Sequence, residues 1–179
     1  MKKRTSLDKF SNNIYMGLDE SNHGRYPEIF VAAFSSWLED VLTQKFQKIR
    51  NPSLGFFGNF SQRDYSFLFM EENDFDRISK NEHVGILISS LLAKKRFPQD
   101  SKLKLLIDGS ITLTQKQTAR ELIPKYTDFK KENISINSGP FFDKTYKIVN
   151  LADAMANYLF RKSSPEKSSK NTHRRYLLK

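Results

Sequence analysis

The chain has no cysteine among its 179 residues. A disulfide framework and a thiolate metal site are both excluded, and the composition suits a reducing compartment. Any metal ion must therefore sit on oxygen or imidazole. No apolar run approaches the roughly 20 residues of a membrane span. The basic start, Met1-Lys2-Lys3-Arg4-Thr5-Ser6-Leu7-Asp8, leads into no apolar segment of signal-peptide length. The expectation is a soluble, cytoplasmic protein with no membrane partner. Acid groups are outnumbered, 20 Asp and Glu against 30 Lys and Arg, for a net charge of +10. The length accommodates one domain with a sizeable core, hardly two.

The excess positive charge is not spread evenly. Arg161, Lys162, Lys167, Lys170, Arg174, Arg175 and Lys179 face one acid, Glu166, so six of the ten excess charges follow residue 160. A segment so rich in Ser and Lys cannot bury enough apolar surface to order itself. It is either a solubilising tail or a contact for a phosphate backbone. The organisation expected is a basic N-terminal segment over 1–13, one domain over 14–162 and a basic tail over 163–179.

Between these ends, strand-like and helix-like periods alternate. Ile14 to Glu20 and Glu28 to Phe34 read as two strands, and Tyr65, Phe67 and Phe69 alternate through a third, Asp64 to Met70. Ser36-Trp37-Leu38-Glu39 has the form of a capping box that opens a helix to about Arg50, stopped by Asn51-Pro52-Ser53. Ile78, Val84, Leu87, Ile88, Leu91 and Leu92 recur at helical spacing over Asp74 to Lys95, with Gly85 marking a close approach. Leu103 to Gly109 reads as a buried strand that delivers Asp108 to its carboxyl end, where α/β sheets bind ligands. Thr114 to Gln117 is another capping box, with a helix to Pro124. Asn133 to Asn137 is a short fifth strand. A last helix, Lys147 to Phe160, carries the apolar stripe Ile148, Leu151, Ala152, Met155 and Leu159. Asp153 lies beside that stripe, among Val149, Ala156 and Phe160, where an ionised carboxylate needs a cation or hydrogen bonds.

The most specific stretch is Gly17-Leu18-Asp19-Glu20-Ser21-Asn22-His23-Gly24-Arg25-Tyr26, followed by the apolar run Ile29 to Phe34. An apolar strand that ends in two adjacent carboxylates, then a polar turn and a second apolar strand, is a hairpin with acids at one strand end. It resembles the first hairpin of the type 2 and type 3 ribonucleases H. Their signature runs Gly-x-Asp-Glu-Ser/Ala-Gly-Lys/Arg-Gly before a Val-Ala-Ala strand. Gly17, Asp19, Glu20, Ser21, Gly24, Tyr26, Val31, Ala32 and Ala33 match it. Asn22 and His23 depart from it, in the turn with which that family senses a ribose 2′-hydroxyl. Ile107-Asp108-Gly109 is similar to the family's strand ending in Asp-Gly. Gly139-Pro140-Phe141-Phe142-Asp143-Lys144 looks like the turn before its last long helix, which would place the fourth carboxylate at Asp143. Leu151-Ala152-Asp153 instead looks like a second group of ribonuclease H-like proteins and would place it at Asp153.

The resemblance implies an α/β fold of the ribonuclease H-like kind, a mixed sheet with antiparallel first strands and then parallel ones, flanked by helices. It implies catalytic and metal-binding roles for Asp19, Glu20, Asp108 and Asp143 or Asp153, and substrate contacts from Asn22, His23, Gly24 and Arg25. Hydrolysing a phosphodiester requires an activated water and charge neutralised on attacking and leaving oxygens, which two divalent ions roughly 4 Å apart can provide. Hard Mg²⁺ or Mn²⁺ prefers carboxylate oxygen. Glu20 follows Asp19 and would face the other side of a regular strand, joining the site only if the strand ends or twists there. The turn exposes Arg25 to a phosphate backbone. His23 is open to three roles: a solvated turn residue, a phosphate contact or a proton-transfer group. Phe56, Phe57 and Phe60 fill a core or stack on bases. The expected activity is a metal-dependent endonuclease acting on nucleic acid, foremost the RNA strand of an RNA/DNA hybrid. The alternatives are a ribonuclease H-like nuclease for branched or mobile-element DNA, and a non-catalytic nucleic-acid-binding module.

Overall fold

A computed structural model describes residues 12–21, 28–38, 41, 65–71, 73–93 and 95–162. Five strands form its sheet: β1 (Asn13–Ser21), β2 (Glu28–Ser35), β3 (Tyr65–Met70), β4 (Lys102–Asp108) and β5 (Ile134–Gly139). The helices are α1 (His83–Leu92), α2 (Leu113–Tyr126), the single turn α3 (Phe142–Thr145) and α4 (Lys147–Lys162). The strand order is β3-β2-β1-β4-β5. β2 pairs antiparallel with both β1 and β3, whereas β4 pairs parallel with both β1 and β5. The molecule is thus an α/β protein with a mixed sheet flanked by helices.

Alternation along β1 sets the two faces of the sheet. Ile14, Met16 and Leu18 point into a core built with α1 and α2, where Leu68, Ile88, Leu105, Ala119 and Ile123 meet. Tyr15 points the other way, into a second core with Val31, Ala33, Leu106 and the buried residues of α4. Side chains at successive positions take opposite faces, so one strand supplies both cores. Two glycines permit the helices to come this close. A Cβ on Gly17 would stand 2.5 Å from the Ile148 carbonyl oxygen, so β1 has no room there for any side chain beneath α4. A Cβ on Gly85 would stand 2.8 Å from the Leu122 side chain, which is the close approach of α1 to α2 expected there.

The expected helix from Asp74 to Lys95 is shorter in the structure. Residues 73–82 fold as a run of tight turns, with Asp74, Asp76, Ile78 and Glu82 each donating a backbone N–H to the carbonyl three residues back. Asp74 Oδ2 accepts the Glu71 N–H at 2.9 Å. The His83 ring stacks on Phe75 at 4.0 Å, and its Nε2 lies 3.0 Å from the Ile78 carbonyl. Short polar side chains and this ring satisfy the backbone locally and displace the first helical turns. The second capping box also sits elsewhere: Thr112 Oγ1 accepts the Gln115 N–H, and Gln115 Oε1 accepts the Thr112 N–H at 3.0 Å. The helix it opens continues past Pro124 to Tyr126, because Thr127 Oγ1 bonds the Ile123 carbonyl and closes its last turn.

β5 begins one residue later than expected and runs on to Gly139. α4 departs from a single apolar stripe, since every residue from Ile148 to Ala156 is buried. Its small Ala152 and Ala156 let it lie against β1, and Val41, whose carbonyl accepts the Lys147 N–H at 3.2 Å, belongs to the same core. Segment 1–11, Asn22 to Arg25, most of the helix expected over 36–50, Phe56, Phe57, Phe60 and the tail over 163–179 lie outside the described residues. Among the described residues no helix is long and apolar enough to cross a membrane.

Candidate functional site

The parallel register of β1 and β4 ends at the pair Leu18 and Ile107. One step further, Asp19 and Asp108 are the next residues on neighbouring strands. Leu18 and Ile107 both face the α1/α2 core, so alternation turns both aspartates toward the α4 side. α4 carries Asp153, which is buried. Three carboxylates from distant parts of the chain therefore approach one end of the sheet.

Asp19 and Asp153 are equally confined, each with 8% of its surface exposed. Burial pushes the Asp19 carboxyl from the ordinary 3.8 up to about 8, against the Glu20 N–H that donates to Oδ1 at 2.8 Å, and the charges of Asp153, Asp108 and Glu20 push it further up. Among the described residues no cation acts on it. Near neutral pH this site holds a proton where a metal ion would otherwise supply the positive charge.

Asp108 is built into the backbone of the neighbouring turn. Its Oδ1 accepts the Phe142 N–H at 2.6 Å and the Asp143 N–H at 3.4 Å, so the carboxylate caps α3 across 34 residues of sequence. Asp143, in the first turn of α3, is buried next to it. It is not among the charges acting on Asp19, so it borders the group from the Asp108 side. Asp153 is held from its own helix: Asn157 Nδ2 donates to Asp153 Oδ1 at 2.6 Å and to the Asp153 carbonyl at 2.9 Å. The hydrogen bonds expected for an acid at that position are thus present.

Glu20 remains in the regular ladder, since β1 pairs with β2 through Glu20 opposite Phe30 and Ser21 opposite Ile29. The strand neither ends nor breaks there, and Glu20 lies on the face opposite Asp19 while its charge still reaches it. Asn22, His23, Gly24 and Arg25 are outside the described residues.

All donors here are oxygen, as hard Mg²⁺ or Mn²⁺ requires, and a buried carboxylate without a cation beside other carboxylates fits such an ion chemically. As the side chains stand, no three His, Asp or Glu among the described residues are gathered closely enough to hold one. One turn before Asp153, Asn150 is 1% exposed and neither atom of its amide has a hydrogen-bond partner. Buried amides are nearly always bonded.

Two residues of this region were given no role by the sequence. Asn157 is found only by asking what lies four residues after Asp153 on the same helix. Phe141 stands out only through its backbone, with φ at 65° beside the carboxylates. The arrangement defines an α/β protein with an acid cluster at the carboxyl ends of two parallel strands. No protein-family model matches the chain, and no curated protein matches it.

Proposed function

We propose that this protein is a divalent-metal-dependent nuclease of the ribonuclease H-like fold that hydrolyses phosphodiester bonds, foremost in the RNA strand of an RNA/DNA hybrid. The observation that carries the reading is the burial of Asp19 within electrostatic reach of Asp108 and Asp153, with its carboxyl pushed up to about 8. A structural core gains nothing from an acid in that state. The strand order β3-β2-β1-β4-β5, with antiparallel and then parallel pairing, is compatible with a ribonuclease H-like sheet. The hairpin motif around Asp19 and Glu20 supports the same assignment.

Asp19, Asp108 and Asp153 would hold Mg²⁺ or Mn²⁺, with Asp143 at the border and Glu20 acting only through its charge from the other face. Such ions supply a Lewis acid for the phosphoryl oxygens and a water of lowered pKa. The chain's own part is positioning. Asn157 fixes one oxygen of Asp153, and the Phe142 and Asp143 N–H groups fix one oxygen of Asp108. Asp19 gives up its proton to become an anionic ligand.

The test is to incubate the protein with labelled RNA/DNA hybrid, duplex DNA and duplex DNA containing one ribonucleotide, in Mg²⁺ or Mn²⁺, beside Asp108→Asn. The asparagine keeps an acceptor for the Phe142 N–H and removes only the charge. Hybrid cleavage that the substitution abolishes supports the proposal. Cleavage of DNA alone moves the substrate to DNA, and metal-dependent binding without cleavage makes the protein a non-catalytic module.

A further inference from the structure

We propose that Phe141 is a stacking residue of this site, taking an unpaired nucleobase beside the scissile phosphate, with Lys144 holding a neighbouring phosphate of the same strand. This rests on the nuclease reading above and adds to it a contact for an unstacked nucleotide where the substrate has a gap, branch, end or single strand.

Phe141 has φ at 65° and ψ at 26°, in the left-handed region. There the Cβ of an L residue crowds the backbone carbonyl, which is why Gly, Asn and Asp take such positions and a bulky residue rarely does. The other non-glycine with positive φ among the described residues is Asp100, a type that tolerates it. Burial does not offset the strain of Phe141, since the side chain is 62% exposed. Phe142 and Tyr146 pack on the core of the α4 face and against each other at 4.8 Å, but Phe141 belongs to neither core.

The turn is held by its neighbours. Asp108 accepts the Phe142 N–H, and the Phe141 carbonyl accepts the Lys144 N–H at 3.0 Å and the Thr145 hydroxyl at 3.2 Å. A strained conformation that its surroundings over-determine, at the edge of a polar cluster, marks a functional position. The ring stands one residue from the N–H that Asp108 accepts and two from Asp143. The Lys144 ammonium lies 4.3 Å from the ring centroid, which brings a cation and an exposed aromatic face together. That pair matches a nucleotide, whose base stacks on a ring while its phosphate takes a cation. A base inside a duplex is already stacked on both sides, so the ring can take only one at a gap, branch, end or single strand.

The experiment compares wild type, Phe141→Asn and Phe141→Tyr by fluorescence anisotropy with a labelled single strand and a fully paired duplex of the same sequence, in Ca²⁺ to hold them uncleaved, and by thermal melting. Asparagine tolerates the left-handed backbone, so its Tm should be unchanged or about 2 °C higher. Its single-strand affinity should fall roughly tenfold, with the duplex changed less than about twofold and tyrosine restoring wild-type binding. Lys144→Gln should flatten the salt dependence by about one phosphate contact. Wild-type affinity in Phe141→Asn, or a Tm lower by more than about 5 °C, would overturn the assignment and leave the nuclease reading standing. A wild-type protein that binds neither probe would overturn the nuclease reading, and the assignment with it.

Discussion

The two faces of the sheet are built to different rules. Against α1 and α2, β1 presents Ile14, Met16 and Leu18, and the core there contains no buried acid among the described residues. Against α4, the same strand presents Tyr15, Gly17 and Asp19, and Asp143, Asn150 and Asp153 are buried on that side. Both faces exclude water, but only one does so around carboxyl groups, the costlier kind to bury. An apolar interior stabilises without further conditions, whereas a buried carboxyl remains favourable only when protonated, hydrogen-bonded or matched by a cation. The α4 face is therefore the one whose stability should answer to pH and to metal, and the α1/α2 face the one that should not.

The comparison can be broken most sharply by removing charge from one face and volume from the other. Asp19→Asn and Asp153→Asn should each lower hybrid cleavage on the order of a thousandfold, measured at saturating Mg²⁺, because each removes a ligand charge from the transition state. Both variants should remain folded by circular dichroism. Leu105→Ala, fully buried on the α1/α2 face, should lower the unfolding free energy by about 3 kcal/mol in urea, with cleavage per folded molecule unchanged. If the volume deletion abolished cleavage without unfolding the protein, the division between the faces would fail.

A smaller effect follows from the raised carboxyl of Asp19. Its value is 3.8 in the unfolded chain and about 8 when folded. The native state holds this proton through that window while the unfolded state has lost it, so the stabilisation is complete below pH 3.8 and is lost as pH rises toward 8. Without metal, the wild-type Tm should fall between pH 5 and 8, and the fall should be shallower in Asp19→Asn. The smallest change expected is at Asn150, where Asn150→Leu removes an unbonded amide of similar size and should raise Tm by about 2 °C. A lower Tm would show that the amide is bonded in solution.

Most of this division was legible before the structure. Alternation of Tyr65, Phe67 and Phe69 reports the third strand, the apolar runs of β1 and β2 report strands buried on both faces, and an aspartate that follows such a run is visible as such, so Asp19 and Asp108 were placed near strand ends from sequence. The start of α1 was not legible, because Asn73, Asp74 and Ser79 offer the backbone local hydrogen bonds that apolar periodicity does not register. Thr112 and Thr114 each stand three residues before a glutamine, so spacing alone could not choose between two capping boxes. The cap that Asp108 places on α3 spans 34 residues and the φ of Phe141 is a backbone property, and no local pattern encodes either. Asp143 and Asp153 were alternatives for one position. Both are buried near the site, Asp153 within reach of Asp19 and Asp143 against Asp108.

The central claim is that Asp19, Asp108 and Asp153 form one site that a divalent cation completes, and thermal melting with Mn²⁺ at pH 7 tests it most directly. The wild-type Tm should rise with Mn²⁺ and approach a plateau, Leu105→Ala should show the same rise from a lower start, and Asp19→Asn and Asp153→Asn should show little or none. An equal rise in all four proteins, or no rise in the wild type, would contradict the account.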